Sequence, residues 1–212
     1  MAFSVHTIYR AVSPLFRKRR MSLFLSAFRP TPATTVLDVG GYPGNWTSVV
    51  IRPQVTVLNV HPIDYGSNPA DPPIRTVVGD GCQLDFADQA FDIVFSNSVI
   101  EHLGTFEKQM SFANECRRVG KRVWVQSPAR SFFIEPHFLT PLIHFLPRRV
   151  QQKLVRNFTV WGLITRPTAQ QVRDFLAEIR LLNHREMQEL FPDCVIIPEK
   201  FIGFTKSYIA IR

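Results

Sequence analysis

Short apolar segments that stop at small or polar residues recur through the middle of the chain. They cover residues 34–39, 55–60, 74–80, 91–96 and 122–126 and are rich in Val, Ile and Thr. Their apolar positions are nearly continuous rather than alternating, which is typical of strands that are covered on both faces. Helical or irregular segments separate them, so the pattern predicts βαβ units around a parallel sheet.

The last quarter of the chain adds two more predicted strands and two helices. The strands, around 194–201 and 207–211, are separated by a turn at Gly203. They lie too close together for a helical crossover, so we expect them to pair antiparallel. Apolar residues at helical spacing predict one helix after a capping-box start at Thr168 and another over 184–191.

Two stretches interrupt this rhythm. A helical pattern over 7–28 is ended by Pro30, and a Phe-rich segment follows the fifth strand and is too long for an ordinary connection. The chain therefore predicts a single α/β domain over 1–212, with a Rossmann-like, doubly wound, seven-stranded sheet whose last strand is antiparallel. An N-terminal helical cap is expected at 1–33 and a helical lid insertion at 129–167.

The overall composition is that of an ordinary globular chain. Hydrophobic residues make up 45% of its 212 positions and charged residues 20%, which is enough apolar material for a core. No apolar run reaches the length of a membrane span, and no secretory signal is visible. Three scattered cysteines favour neither a disulfide framework nor zinc ligation, so we expect a cytoplasmic location.

The charge and the aromatic residues bear on possible partners. A net charge of +8 favours anionic partners, namely nucleic acid, acidic lipid head groups or phosphorylated substrates. Phe supplies 18 of the aromatic residues, against three Trp and four Tyr, which is atypical of a single-stranded RNA binder. A basic, Phe-rich chain instead favours a small-molecule or lipid-like substrate and peripheral contact with a membrane surface, with nucleic acid disfavoured.

Polar residues mark the ends of three of the predicted strands. Asp38 precedes a turn that contains Gly40, Gly41 and Gly44, and a short helix is expected after it over Asn45–Ile51. The next two strands end near Asn59 and Asp80. Because the carboxyl ends of parallel strands meet at one edge of a sheet, this layout predicts a nucleotide or nucleoside site there.

The glycine spacing excludes the usual dinucleotide fingerprint. Tyr42 stands where Gly-x-Gly-x-x-Gly requires its second glycine, and Asn45 stands at the third. Asp38 would also place a negative charge beside a phosphate. The turn is therefore better suited to a ligand that carries cationic or hydroxyl groups.

Four ordered motifs in this region resemble those of a known family. Residues 36–44, 79–86, 91–103 and 115–128 are similar to the motifs of class I S-adenosylmethionine-dependent methyltransferases, in particular the type 11 group that acts on small-molecule, lipid or quinone-type acceptors. The resemblance implies S-adenosylmethionine as the cofactor and in-line transfer of its methyl group. No metal is expected.

The resemblance also implies a role for each matching residue. The glycines of the first turn would pass close to the methionine part of the cofactor, with Asp38 supporting the turn and the cofactor ammonium. Asn59 would bind the ribose, Asp80 would accept the adenine amino group, and the backbone of Gly81 and Cys82 would donate to the ring. Ser96 and Asn97 would border the methyl-transfer region.

Two departures from the family pattern leave other functions open. Tyr42 replaces a glycine, and Asn59 is neutral where an acid is usual. A catalytically silent binding module that keeps the fold is therefore one alternative. Methylation of RNA or protein, suggested by the positive charge, is the other. If the acceptor needs a general base, the candidates are His102 and His137.

Overall fold

The computed structural model describes residues 18–47, 49–63 and 74–212. The chain divides into two compact units. The sheet unit comprises Pro30–Ala129 and Arg180–Arg212, and the helical unit comprises Met1–Arg29 and Arg130–Ile179. The part of the predicted N-terminal helix that precedes residue 18 lies outside the described residues.

Seven strands of the described sheet unit form one mixed sheet. They are β1 (Thr35–Val39), β2 (Gln54–Asn59), β3 (Arg75–Val78), β4 (Phe91–Asn97), β5 (Gly120–Pro128), β8 (Val195–Phe201) and β9 (Phe204–Ile211). Their spatial order is β3-β2-β1-β4-β5-β9-β8. The five strands from β1 to β5 pair in parallel, whereas β9 runs antiparallel to both of its neighbours. The predicted Rossmann-like sheet with its antiparallel last strand is confirmed.

Apolar side chains from the sheet and from the helices that flank it form the core of the sheet unit. Helices α2 (Phe106–Val119) and α6 (His184–Leu190) present Phe112 and Met187 to a buried cluster that includes Leu37, Val94 and Val123. The fully buried Gln109 links this packing to the site by donating to the carbonyl of Ile100, just after β4.

The helical unit contains the predicted lid and the described part of the cap. The described part of helix α1 covers residues 18–28. Strands β6 (Ile134–Glu135) and β7 (Thr140–Pro141) pair antiparallel to form a two-stranded hairpin. Three further helices follow: α3 (Arg148–Phe158), α4 (Val160–Thr165) and α5 (Ala169–Glu178). Thr168 forms the predicted capping box with Gln171 at the start of α5. Among the described residues, no helix is both long and apolar enough to cross a bilayer.

One predicted helix is wrong. The sequence suggested a short helix over Asn45–Ile51, but the described residues there form a 3-10 turn of three residues, Pro43–Asn45, followed by irregular turns. The described residues of the crossover from β1 to β2, 40–47 and 49–53, therefore contain no α-helix. The side chain of Trp46 is buried in this segment, where its ring meets Phe95 edge-on with the ring centres 5.3 Å apart.

Candidate cofactor site

The glycine turn after β1 is built on the side chain of Asp38. Asp38 has no exposed surface, and its Oδ2 accepts a 2.8 Å hydrogen bond from the indole Nε1 of Trp46. The backbone of Gly41 passes directly over the carboxyl group, since a Cβ at Gly41 would lie 1.9 Å from Oδ2. The close approach of carboxyl and backbone requires glycine at this position.

Burial changes the acid–base behaviour of Asp38. Desolvation raises its pKa to about 7, and the hydrogen bond from Trp46 opposes this rise. Among the described residues, no hydrogen-bond donor reaches its Oδ1. The turn is therefore supported by a carboxyl group with one satisfied oxygen and one that retains an unused acceptor position.

Gly40 is required for two separate reasons. Its φ angle of +73° lies in the left-handed region, which side chains disfavour, and a Cβ there would lie 2.6 Å from a methyl of Val99. Gly44 is less constrained, since its nearest neighbour would be the ring of Tyr42 at 3.0 Å. The Tyr42 side chain is 52% exposed, while Asp38 is covered by the backbone of the turn.

Asn59 holds the turn from the neighbouring strand. Its Nδ2 donates to the carbonyl of Gly41 at 3.2 Å, and its Oδ1 accepts from the backbone N–H of Val60 at 2.9 Å. An aspartate could not make the first of these bonds, because it has no N–H to donate. This hydrogen bond explains why a neutral Asn, rather than an acid, occupies position 59, and the sequence alone did not reveal it.

Asp80 lies beyond the end of β3 and lines a groove of about 470 Å³, a volume typical of small-molecule sites. The groove is bounded by Val60, Val78, Gly79, Asp80, Cys82, His102, Leu103 and Lys108. Oδ1 of Asp80 accepts from the backbone N–H of Cys82 at 2.8 Å, which forms a tight local turn. Gly81 keeps this turn close to the core, since a Cβ there would lie 2.8 Å from the ring of Phe112.

The two residues predicted at the end of β4 have different environments. Ser96 is fully buried, and its hydroxyl donates to the carbonyl of Val39 at 2.9 Å, so it joins β4 to β1. Asn97 is half-buried at the last position of β4.

Burial and the nearby Asp80 raise the pKa of the Cys82 thiol to about 11. The thiol therefore stays protonated near neutral pH.

The two candidate bases belong to different units. His102 lies in the 3-10 helix Ile100–Leu103 of the sheet unit and lines the Asp80 groove. His137 belongs to the helical unit, where its Nδ1 lies 2.7 Å from Oε1 of Glu135. The second oxygen of Glu135 accepts from the backbone N–H of Phe138, and the Glu135 side chain is almost completely buried.

Residues 37–122, which contain the glycine turn, the Asp80 groove and His102, match the family model described as a methyltransferase domain. Residues 37–122 therefore resemble a methyltransferase domain. No curated protein matches the chain closely enough to count as a relative.

Solved structures with the same fold span nearly the whole chain at low identity. The PH0226 protein from Pyrococcus horikoshii OT3 is 16% identical with a TM-score of 0.59, and the match covers 97% of each chain. A SAM-dependent methyltransferase from Methanosarcina mazei is 11% identical with a TM-score of 0.50, covering 89% of this chain and 95% of that one. The magnesium protoporphyrin IX methyltransferase of Synechocystis PCC 6803, solved with bound SAH, is 13% identical with a TM-score of 0.54, covering 92% and 82%.

Several residues of the candidate site were not identified from sequence. Trp46 supports Asp38, Val99 packs against Gly40, and Lys108 lines the groove. Trp46 comes two residues after the last glycine of the turn, and a lone indole so close to a buried acid was a usable signal. Val99 and Lys108 reach the site only through tertiary packing, so no local pattern singles them out.

Proposed function

We propose that this protein transfers a methyl group from S-adenosylmethionine to a small or lipid-like acceptor. The observation that carries the proposal is the arrangement of three strand ends. Asp38, Asn59 and Asp80 lie at the carboxyl ends of β1, β2 and β3, which are neighbours in the sheet. In class I methyltransferases the corresponding positions serve the methionine, ribose and adenine parts of the cofactor.

The residues present fit such a ligand. Gly41 lets the backbone of the turn pass over the carboxyl group of Asp38, whose Oδ1 is a buried acceptor without a donor among the described residues. A carboxylate beneath the turn would attract a cofactor ammonium held above it. The Asp80 groove combines a carboxylate, which can accept from the amino group of an adenine, with apolar side chains that can pack against its ring. When bound, the cofactor supplies a methyl group on a positively charged sulfur, which needs positioning more than acid–base help.

Asp80 allows a selective test, because its Oδ1 is held locally by the backbone N–H of Cys82. In Asp80→Asn, the amide oxygen can still accept from the N–H of Cys82, so the turn is retained. The other position becomes a donor and can no longer accept from an adenine amino group. We expect the affinity for S-adenosylhomocysteine, measured by titration calorimetry, to fall about tenfold or more.

Asp85→Asn is the matched control. Asp85 is an exposed acid five residues along the same loop and does not line the groove, so its replacement should leave the affinity unchanged. If the wild-type protein shows no binding of S-adenosylhomocysteine at millimolar concentration, the enzyme proposal fails and the silent binding module is favoured.

For an acceptor that must lose a proton, we propose His137 as the general base and Glu135 as the residue that positions it. The carboxylate fixes Nδ1 of the imidazole, which directs the other nitrogen toward proton transfer. The neighbouring rings of Phe138, Trp161 and Phe175 pack against one another and support the segment that carries His137. His102, by contrast, lines the same groove as Asp80, and we assign it to cofactor binding.

The test of this assignment is a pH profile once an acceptor is in hand. Glu135→Gln should keep the fold but shift the acidic limb of the kcat profile to lower pH, because the imidazole loses its carboxylate partner. His137→Gln should lower kcat and remove the dependence on that group. Neither replacement should change the affinity for S-adenosylhomocysteine. A kcat that is unaffected by both would mean that transfer needs no base from this pair.

A further inference from the structure

The net positive charge of the chain comes from the helical unit. That unit has 13 Lys and Arg residues against three Asp and Glu, whereas the sheet unit has 12 against 14. No acidic residue occurs between Glu135 and Asp174. The net charge of +8 therefore reflects one strongly basic unit joined to a slightly acidic one, and it points to an anionic partner for the helical unit.

Helix α3 concentrates this charge on one side. Arg149, Lys153 and Arg156 follow one another at helical spacing and are exposed, and among the described residues they have no ion-pair partner. The opposite side of the helix, with Gln151 and Val155, is buried. The basic stripe therefore faces solvent.

An exposed apolar stripe lies next to the basic one on the same helix. Val150, Leu154 and Phe158 are four residues apart and so share one side of α3. Phe158 is 67% exposed and Val150 is 39% exposed. Leu154, between them, is half-buried. A helix with two exposed large apolar side chains on one side, beside a row of cations, is atypical of one that contacts only water.

Neighbouring segments of the helical unit expose further apolar side chains. Phe145, in the 3-10 turn just before α3, is 51% exposed, and Leu163 on α4 is 49% exposed. Leu142 and Leu146 flank the same turn and are exposed as well. The apolar stripe of α3 is therefore accompanied by other exposed apolar groups in the segments directly before and after it in the chain.

We propose that α3 and the turn before it bind the surface of an anionic lipid membrane. An interfacial helix inserts its apolar side between the head groups while the neighbouring cations pair with lipid phosphates, and α3 presents these two stripes side by side. Nucleic acid would explain the cations but not the aliphatic side chains beside them. The surface is independent of the methyl-transfer site, so it can be tested whether or not the protein binds the cofactor.

The test is sedimentation of the full chain with vesicles at about 0.15 M salt, where weak electrostatic association is largely screened. We expect binding to vesicles that contain phosphatidylglycerol and little binding to phosphatidylcholine alone. The triple variant Arg149→Gln, Lys153→Gln and Arg156→Gln should weaken binding about a hundredfold, since each basic side chain near the surface contributes roughly a factor of five. Phe158→Ser should weaken it about tenfold through the loss of apolar burial.

A matched control separates this surface from net charge. The triple variant Arg52→Gln, Arg75→Gln and Arg185→Gln removes the same charge from exposed positions of the sheet unit and should bind vesicles as the wild type does. Equal weakening by both triple variants, or equal binding to both kinds of vesicle, would overturn the proposal. So would retention by single-stranded RNA without any binding to vesicles, which would assign the basic stripe to nucleic acid.

A spectroscopic variant tests the same surface without relying on loss of binding. Phe158→Trp places a fluorophore at the most exposed apolar position of α3. After subtraction of the wild-type emission, which comes from the three native tryptophans, its emission should shift to the blue on addition of phosphatidylglycerol vesicles and stay unchanged with phosphatidylcholine. An emission spectrum that does not respond to the anionic vesicles would show that α3 stays in water.

Discussion

The indole of Trp46 donates to the buried carboxyl group of Asp38 across 2.8 Å. This single bond connects the glycine turn, which no α-helix follows among the described crossover residues, to the end of the first strand. Burial raises the pKa of Asp38 to about 7. The stability of the turn therefore depends on whether Asp38 is protonated. The site therefore has a pH dependence that can be measured without any ligand.

The first prediction concerns the stability of the unliganded protein. Between pH 4 and 7 native Asp38 keeps a proton that the unfolded chain releases, so stability falls as the pH rises through this range and levels off above it. We expect a fall of roughly 3 kcal/mol between pH 5 and pH 8 from this group alone. Urea denaturation at several pH values measures it, and Asp38→Asn should remove the slope.

Asp92→Asn is the control for this experiment. Asp92 accepts from the backbone N–H of Thr35 and pairs with Lys121, and these contacts lower its pKa to about 2. Its contribution is lost only as the pH falls through the range below about 4, so the variant should keep the slope between pH 5 and pH 8. A wild-type protein with equal stability across that interval would contradict the assignment to Asp38.

The second prediction is that Trp46→Phe destabilises the protein more at high pH than at low pH. At pH 8 the substitution removes a donor from a charged carboxylate, and at pH 5 from a neutral acid, which should differ by about 1–2 kcal/mol. The loss of indole packing is the same at both pH values. In the Asp38→Asn background the difference should disappear, and its persistence there would separate Trp46 from Asp38.

The third prediction reverses what the family pattern suggests for Asn59. Replacing it by the usual acid should not tighten cofactor binding, because Asn59→Asp removes the hydrogen bond to Gly41 and places a carboxylate against that carbonyl. We expect a stability loss of about 1 kcal/mol and no gain in affinity for S-adenosylhomocysteine. Asn114→Asp, on an exposed turn of α2 beside Arg117, is the matched control and should be neutral.

A tighter complex for Asn59→Asp would show that the turn tolerates loss of this bond and that the ribose prefers an acid here. Failure to gain affinity, on the other hand, does not identify a silent module, since the structure gives its own reason for that result. The Asp80→Asn experiment is the one that separates an enzyme from a silent fold.

The fourth prediction concerns the tip of the β8–β9 hairpin. Ile202 has a φ angle of +48° and is 75% exposed, so a β-branched side chain is held in the left-handed region with little burial in return. Ile202→Gly should raise the free energy of unfolding by about 1 kcal/mol. Gly203→Ala should lower it by a similar amount, because φ at Gly203 is +81° although its Cβ would meet no atom within 4 Å.

Thermal or urea denaturation of both hairpin variants checks this pair. The two replacements lie next to each other and change few contacts, so opposite signs would isolate the backbone effect. A destabilised Ile202→Gly would instead indicate that the exposed side chain makes a contribution that its φ angle does not reveal.

The strands and most helices could be predicted because their apolar spacing is local. The capping box at Thr168 and the turn at Gly203 were found in the same way, and the structure confirms both. The helix expected over Asn45–Ile51 was wrong, since nothing in that short pattern shows that Trp46 turns inward to Asp38. The division of the charge between two units was also hidden, because the two halves of each unit are far apart in sequence.

The ends of the predicted strands gave the position of the candidate site, but not the roles of all its residues. Asp38 and Asp80 could be placed because topology alone brings the carboxyl ends of neighbouring strands together. The reason for the amide of Asn59 and the burial of Ser96 depend on hydrogen bonds to the carbonyls of Gly41 and Val39. Such bonds join residues that are distant in sequence, so they require coordinates.

The turn that replaces a crossover helix after β1 also bears on how this enzyme could be altered. A helix would fix the ligand-facing edge through many repeated backbone bonds, and changing its shape would mean rebuilding the whole element. Here a few side chains do that work, chiefly those of Asp38, Trp46 and Asn59. A single amino-acid substitution, arising by natural drift or by design, can therefore be the first step toward binding a modified cofactor.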